Sequence, residues 1–397
     1  MFTRAPIDPE LLRPVLGTGL GSSRTLPAQA YVSSDVFDWE MEHFFEAGWV
    51  CLGRADDLAV TGDQRAFRVG DEGVLVVRDV DGTLRAYANT CRHRGHELLE
   101  PETSRNERVI KCPYHAWVYR LDGALAGAPR FGDVDGFDRS DHPLISARVA
   151  EWHGWVFVNT GGDAPALDAY VGNLDGLIAA WEPDRLFVAA THEYVIGANW
   201  KTITENYHEC YHCPSIHPEL CVVTPVDSGQ NLPHEGMWVG GSMRLKDFAE
   251  TMSLTGKSKG ITLRGLDDEQ RRQVSYFGLF PNLLLSLHPD YVLTHRFEPV
   301  GPRETRVECQ WLFPPEATEV PGFDPVYAVE FWDITNREDW VACESVARGH
   351  RSAGFRQGPF AWSEDEVHAL MAMVARGYLD GRASVPPQVH EVAARAG

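Results

Sequence analysis

The chain has 397 residues, 44% of them hydrophobic, enough for two domains that each bury a core. Its formal charge of −21 argues against nucleic acid and anionic membrane as partners and suits a partner with a basic docking face. No apolar run reaches the ~18 residues of a membrane span, the opening MFTRAPIDPELLRP lacks the apolar core and cleavage site of a secretory signal, and eight cysteines make no disulfide scaffold, so a cytoplasmic protein with free thiols is expected.

Residues 1–34, rich in Gly, Pro and Ser, are expected to form an extended arm. Residues 35–48 read as a short amphipathic helix with Phe37, Trp39, Met41, Phe44 and Phe45 as its apolar members. From 49 to about 158, short β-type runs alternate with turn signals: VLVVRD, DG, LRAYANT, and later WVYR, LDG. This pattern suits a small antiparallel β domain. GWVFVNT (154–160) closes it, and GGDAPALD (161–168) reads as a linker.

Inside the β domain lie Cys91-Arg92-His93 and Cys112-Pro113-Tyr114-His115, a C-x-H and a C-x-x-H separated by 18 residues. A Rieske [2Fe–2S] cluster needs this donor set, two thiolates on one iron and two imidazoles on the other. Gly95 and Pro113 stand where the two loops must turn tightly. Tyr114 is expected to donate its hydroxyl to a cluster sulfur. Two Cys and two His also suit zinc, but zinc fingers usually pair Cys with Cys and His with His in local steps, whereas each loop here offers one of each. Cys51, Cys210, Cys213, Cys221, Cys309 and Cys343 remain as free thiols, and no βαβ pattern surrounds the C-x-x-C at 210–213.

The second half alternates helices and strands. THEYVIGANW reads as a strand, 201–212 as a helix, and LDDEQRRQ (266–273) as a solvated helix face. GLFPNLLLSLHPDYVLTHRFEPV and RVECQWLFPP read as a strand pair turning at GPRET, and 327–350 as a long helix. An antiparallel sheet with a long C-terminal helix packed across it follows.

NWKTITENYHECYHCPSIHPEL (199–220) crowds Glu205, Asn206, His208, Glu209, His212 and His217 into thirteen residues. A mononuclear Fe(II) site that activates O2 takes two histidines and one carboxylate and leaves positions open. His212 and His217, five apart across Pro214, can meet where a helix breaks; His208 and His212, four apart, would share a helix face. Periodicity does not choose between these pairs. The carboxylate must come from far along the chain, and Asp339 in FWDITNREDWVACES is the best candidate, with Asp333 and Glu338 as alternatives.

CRHRG…CPYHAW resembles the Rieske box of ring-hydroxylating and related oxygenases. E-N-Y-x-E-C-Y-H-C-x-x-x-H-P and T-N-x-x-D-W-x-x-C-E resemble the catalytic motifs of the same family. The resemblance spans roughly 35–380. It implies an α+β chain: after the arm, an all-β Rieske domain (35–165) and a helix-grip catalytic domain (166–397) with an antiparallel sheet and long C-terminal helix. It assigns Cys91, His93, Cys112 and His115 to the cluster and His212, His217 and Asp339 to the iron, leaving His208 open. It makes Glu209 a bridge from a cluster histidine of one subunit to an iron histidine of the next in a ring of three, with Asn206 beside it in the catalytic motif. A carboxylate suits that place, since it can accept N–H bonds from two imidazoles and fix both tautomers.

ENYHECYHC, FPNLLLSLHPDYVLTHR, VECQWLFPPEA and FWDITNREDW resemble the quaternary-ammonium branch: glycine betaine, choline, carnitine and stachydrine monooxygenases. That implies hydroxylation of an N-methyl or adjacent carbon with O2, and release of formaldehyde from a betaine. No G-x-G-x-x-G opens a helix after a strand, so NAD(P)H and flavin are expected on a separate flavin and iron–sulfur reductase. A permanent cation calls for aromatic faces, each worth roughly 0.5–2 kcal/mol. Trp238, Tyr276, Phe277, Phe280, Tyr291 and Trp332 are the candidates, with His288 and Asp290 for the substrate's polar groups or simply for a strand turn. An aromatic or other non-betaine substrate is the alternative, because the same iron chemistry serves both and the pocket decides. An electron carrier would need only about a hundred residues.

Overall fold

The computed structural model describes residues 3–17 and 19–387. It divides into two compact units: one is Met41–Leu167, and the other takes the chain before and after it.

In the smaller unit, seven antiparallel strands run in the order Val50–Arg54, Trp155–Asn159, Ser146–Trp152, Leu84–Ala88, Glu72–Arg78, Asp63–Val69, Ser104–Asn106. The VLVVRD and LRAYANT runs are neighbours in it, joined by a turn in which Gly82 takes φ +81°. A second sheet of three short strands, Ile110–Lys111, Val118–Tyr119 and Leu125–Gly127, carries one of the two motif loops. Leu75, Val77, Tyr87, Leu98, Trp117, Tyr119 and Leu121 pack around Cys91 and Cys112 as one buried core.

The larger unit holds a seven-stranded antiparallel sheet in the order Phe187–Ile196, Glu304–Phe313, Val292–Gly301, Leu283–Leu287, Gln273–Leu279, Trp238–Arg244, Gln230–Asn231. The long helix Val326–His350 contributes Ala328, Phe331, Trp332, Cys343 and Ala347 to one core with Val274, Leu284, Leu293, Cys309 and Trp311 of the sheet. Those strand residues share one sheet face by register. Among the described residues no helix is long and apolar enough to cross a membrane.

Several expectations are corrected. Residues of the expected arm instead fold onto the larger unit. Short helices form at Pro9–Leu12, Arg13–Leu16 and Gln29–Val32, and Leu12, Val15, Leu26, Ala30 and Tyr31 are buried. Gln357 Nε2 ties the segment down by donating to the carbonyls of Leu11 (3.1 Å) and Thr25 (2.7 Å). The amphipathic helix forms as Ser34–Glu40 and continues as a π-helix over Met41–Glu46. The division between units therefore falls inside that helical stretch rather than at 34/35; the second falls at 167/168 rather than 165/166.

LDDEQRRQ makes only a 3₁₀ turn, Gln270–Arg272, because Gln273 already begins a strand. The stretch read as one strand before GPRET is broken twice. Pro281 interrupts it after Leu279, and His288-Pro289-Asp290 makes a hairpin between Leu287 and Val292. A second long helix, Asp365–Asp380, adds Val367, Leu370, Met371, Met373 and Val374 to the interior.

Candidate metal centres

In the smaller unit the two motif loops converge. Cys91 and Cys112 are buried, their thiols within hydrogen-bonding reach of each other. Each loop closes on its own backbone: Gly95 N–H donates to Cys91 O at 3.0 Å and Ala116 N–H to Cys112 O at 3.1 Å. Gly95 takes φ +73°, a conformation that favours glycine. The His93 and His115 rings lie 4.7 Å apart, and His93 stacks on Trp117 at 4.8 Å and 8°. His93 Nδ1 is buried without a partner among the described residues.

Two adjacent thiols and two adjacent imidazoles, one with an unmet nitrogen, fit a Rieske cluster. The tyrosine expectation is corrected. Tyr114 is 54% exposed and lies against the His115 ring, at the loop tip. Tyr119, on the strand behind, points inward and places its hydroxyl 3.3 Å from Cys91 Sγ while accepting from Arg92 N–H at 3.0 Å.

In the larger unit the helix expected over 201–212 stops at Tyr207. Asn199 caps its start, its side chain accepting from Lys201 N–H. A buried polar group anchors the first turn. Lys201 Nζ meets Glu40 at 2.6 Å, Trp200 Nε1 donates to Glu40 at 2.9 Å, and the Tyr378 hydroxyl donates to the same carboxylate. One turn on, Glu205 accepts from Tyr31 OH at 2.8 Å, and burial pushes its carboxyl up to about 8.

Past Tyr207 the chain turns sharply, so His208 and His212 do not share a helix face. His208 is fully buried against Gly278, where a Cβ would stand 2.2 Å from its Nε2. His212 instead begins, and His217 ends, the four-residue helix Cys213–Ile216 that Pro214 opens. Cys210 and Cys213, expected as free thiols, are joined by a disulfide around His212, because the turn brings their Cα atoms to 4.9 Å.

His212, His217 and Asp339 meet at one point. The two Nε2 atoms are 3.2 Å apart, and Asp339 Oδ1 lies 3.0 Å from His217 Nε2 and 3.4 Å from His212 Nε2. Behind each imidazole stands a further carboxylate: Glu209 accepts from His212 Nδ1–H at 2.5 Å and from its backbone N–H at 3.1 Å, and Glu338 accepts from His217 Nδ1–H at 2.8 Å. Burial alone would raise the Asp339 carboxyl, but the two imidazoles outweigh it and hold the carboxyl low. Burial likewise opposes charge on His212, yet Asp339 and Glu209 push it up to about 9. Three converging donors, two with carboxylates fixing the opposite nitrogen, fit a divalent metal.

Of the alternatives, Glu338 is the partner of a ligand rather than a ligand, and Asp333 is turned to Tyr194 and Arg337. Asn206 is half-buried in the last turn of the helix before the site. The substrate candidates are split. Tyr276 shares the sheet face of Gly278 and Ser286, below the long helix; the adjacent Phe277 points the other way, as does Trp238 opposite Leu279. Phe280 packs against Trp200 at the strand end. Tyr276, Trp332, His288 and Tyr291 do come together, with ring separations of 6.5 Å, 5.4 Å and 4.1 Å in that order. Asp290 is taken up by the hydroxyls of Thr251 and Tyr327, each at 2.5 Å.

The model of the Rieske [2Fe–2S] domain matches residues 48–138, and that of the ring hydroxylating alpha subunit catalytic domain matches 183–379. The glycine betaine monooxygenase oxygenase subunit of Chromohalobacter salexigens is 31% identical over 366 residues, covering 85% of this chain and 82% of the relative. The chain belongs to the Rieske oxygenase alpha-subunit family. The carnitine monooxygenase oxygenase subunit of Escherichia coli K12 is 31% identical over 338 residues, covering 84% of this chain and 86% of the relative. The crystal structure of the quaternary ammonium Rieske monooxygenase CntA with L-carnitine superposes with a TM-score of 0.76 at 27% identity, covering 94% of this chain and 99% of that one. The chain is thus an oxygenase subunit of the Rieske non-heme iron monooxygenases, and its two domains imply a Rieske cluster and a mononuclear iron.

Proposed function

We propose that this oxygenase subunit hydroxylates or N-demethylates a quaternary ammonium compound such as glycine betaine. Cys91, His93, Cys112 and His115 hold the cluster; His212, His217 and Asp339 hold the iron. Bound there, the cluster supplies electrons and the iron activates O2. Two electrons and two protons reduce one oxygen atom to water while the other enters a C–H bond. On an N-methyl group the product is a carbinolamine, which collapses to formaldehyde, a proton and the demethylated amine.

The chain's own residues orient the site. Glu209 and Glu338 fix the tautomers of His212 and His217 so that both Nε2 atoms face the metal. Glu209 also links the iron site of one subunit to a cluster histidine of the next, in a cytoplasmic homotrimer fed by a separate NAD(P)H-dependent reductase. The rings of Tyr276 and Trp332 receive the substrate cation.

The observation that carries this reading is the meeting of two histidines and a carboxylate on the long helix, whose inner side also bears an aromatic wall. The relatives named for glycine betaine and carnitine direct it to quaternary ammonium substrates. The test is a panel of glycine betaine, choline, carnitine, stachydrine and simple aromatic acids with a surrogate reductase, reading formaldehyde and NADH. Formaldehyde matched to NADH is expected from a betaine. Turnover confined to aromatic acids would replace the reading.

A further inference from the structure

Asp339, Asn336 and Trp332 are three and four residues apart, so they share one face of the long helix. Seven residues separate Trp332 from Asp339 by about 10 Å along the axis. Opposite this face runs a continuous row of rings. His295 Nε2 meets Asn336 at 3.1 Å, the Tyr207 ring lies 6.0 Å from His295 and 5.9 Å from Tyr276, and Trp332 follows.

His288 stands at the far end. It is 0% exposed, and its ring stacks on Tyr291 at 4.1 Å and 23°. Its neighbours are satisfied: Trp332 Nε1 donates to Tyr291 OH at 2.7 Å, Tyr291 OH donates to Met252 O at 2.8 Å, and Asp290 accepts its two hydroxyls. Neither ring nitrogen of His288 has a partner among the described residues. Burial holds this imidazole well below its ordinary basicity, so it is neutral and carries one N–H donor. A buried donor without a partner is costly, and such groups are normally met by water or ligand.

We infer that His288 donates its N–H to the oxygen-bearing tail, carboxylate or hydroxyl, of the quaternary ammonium substrate and so sets its specificity. The inference rests on the quaternary-ammonium reading above. A nitrogen with four carbon substituents has no N–H and accepts nothing, so an imidazole can recognise only the tail. The C–H to be oxidised must face His212, His217 and Asp339, so the tail runs away from them. Along the inner side of the long helix that direction passes Trp332 and reaches His288.

The test is calorimetric binding to the anaerobic holo-oxygenase of glycine betaine, choline and tetramethylammonium, the last a cation of the same type without a tail. Wild type is expected to prefer a tailed ligand. In His288→Leu the ratio of Kd values is expected to shift about tenfold toward the tail-less cation. His288→Asn and His288→Gln carry an N–H near the positions of Nδ1 and Nε2, and one of them is expected to restore the preference. If the leucine variant fails to melt cooperatively, the split between the two amides carries the test. A ratio unchanged in His288→Leu, or lost equally in both amides, overturns the role of His288. Failure of wild type to bind any of the three cations brings down the quaternary-ammonium reading and this inference with it.

Discussion

Glu338→Gln perturbs the iron site without touching a ligand. Glu338 Oε2 accepts from His217 Nδ1–H at 2.8 Å, and its side chain is 31% exposed. The bond aims His217 Nε2 at the shared point and raises the basicity of the ring. Glutamine keeps the shape and can still accept through its amide oxygen, so only the charge is lost; alanine loses bond and charge together. Removing a partner of this kind costs about 10–100-fold in metal affinity, equivalent to about 1.4–2.8 kcal/mol. Water reaches part of the Glu338 carboxylate and screens it, which places glutamine at the low end and alanine near the top. Glu209 grips His212 by two bonds, at 2.5 Å and 3.1 Å, and is more buried. Glu209→Gln is therefore expected to cost more than Glu338→Gln. The assay strips the mononuclear iron anaerobically with a chelator and titrates Fe(II) back, with cluster absorbance as the internal standard. The expected order is wild type, Glu338→Gln, then Glu209→Gln, with Glu338→Ala below Glu338→Gln. Wild-type Fe(II) affinity in both Glu338 variants would refute the idea that this carboxylate holds His217 from behind.

His212→Ala is expected to keep the visible spectrum of the cluster while losing one iron per subunit and substrate oxidation; retained turnover would mean the iron lies elsewhere. Glu209→Ala is expected to block reoxidation of the reduced cluster by substrate and O2 in single turnover, and normal rates would remove the bridge. Tyr119→Phe deletes the hydroxyl 3.3 Å from Cys91 Sγ. Hydrogen bonds to sulfur raise cluster potentials, so the midpoint potential should fall in a redox titration, and an unchanged potential would count against this contact. Glu205 is raised by burial to about 8, above its value of about 4.3 in an unfolded chain. Its contribution is full below that unfolded value and is lost as pH rises through about 8. Relative to wild type, Glu205→Gln should gain up to about 1.4 kcal/mol of stability per pH unit across that window, read as urea midpoints; a constant difference from acid to alkaline pH would show that folding leaves the Glu205 carboxyl at its ordinary value.

The parts of this fold legible in the sequence are those where a short pattern fixes local geometry. The alternation in VLVVRD and LRAYANT yields two paired strands, and 327–350 yields a helix within one residue of Val326–His350. Both halves of the C-x-H and C-x-x-H motif sit on loops between strands, as their spacing implied. The misreadings occur where tertiary contacts outweigh composition. Residues 1–34 read as an extended arm by their Gly, Pro and Ser, yet buried residues such as Leu12, Val15 and Leu26 make the described part of this segment belong to the larger unit. The helix read through His212 stops early because Pro214 starts a new turn and His208 is drawn into the space left by Gly278. Tyr114 stands out in the sequence because adjacency to a ligand is visible there, whereas the contact of Tyr119 with Cys91 Sγ forms across the fold and leaves no local mark. Glu338 is 121 residues from His217 and carries no local signal beyond standing next to Asp339.

The long helix ties recognition to chemistry through its periodicity. Asp339 reaches the histidines, and Glu338 reaches the far nitrogen of one of them. Asn336 and Trp332 continue the same inner side toward His288. Because all four project from one helix, the distance and angle between the metal donors and the aromatic wall are set by backbone hydrogen bonds rather than by loops. The histidines come from the short turn shaped by Pro214 and the Cys210–Cys213 disulfide, and the long helix then holds His217 through Glu338. On the proposed reading, side-chain changes at Tyr276 on the sheet, or at His288 and Tyr291 in the turn between two of its strands, alter which substrate is held while the metal donors keep their places. A single alpha-subunit architecture can in this way serve substrates as different as the relatives' names indicate.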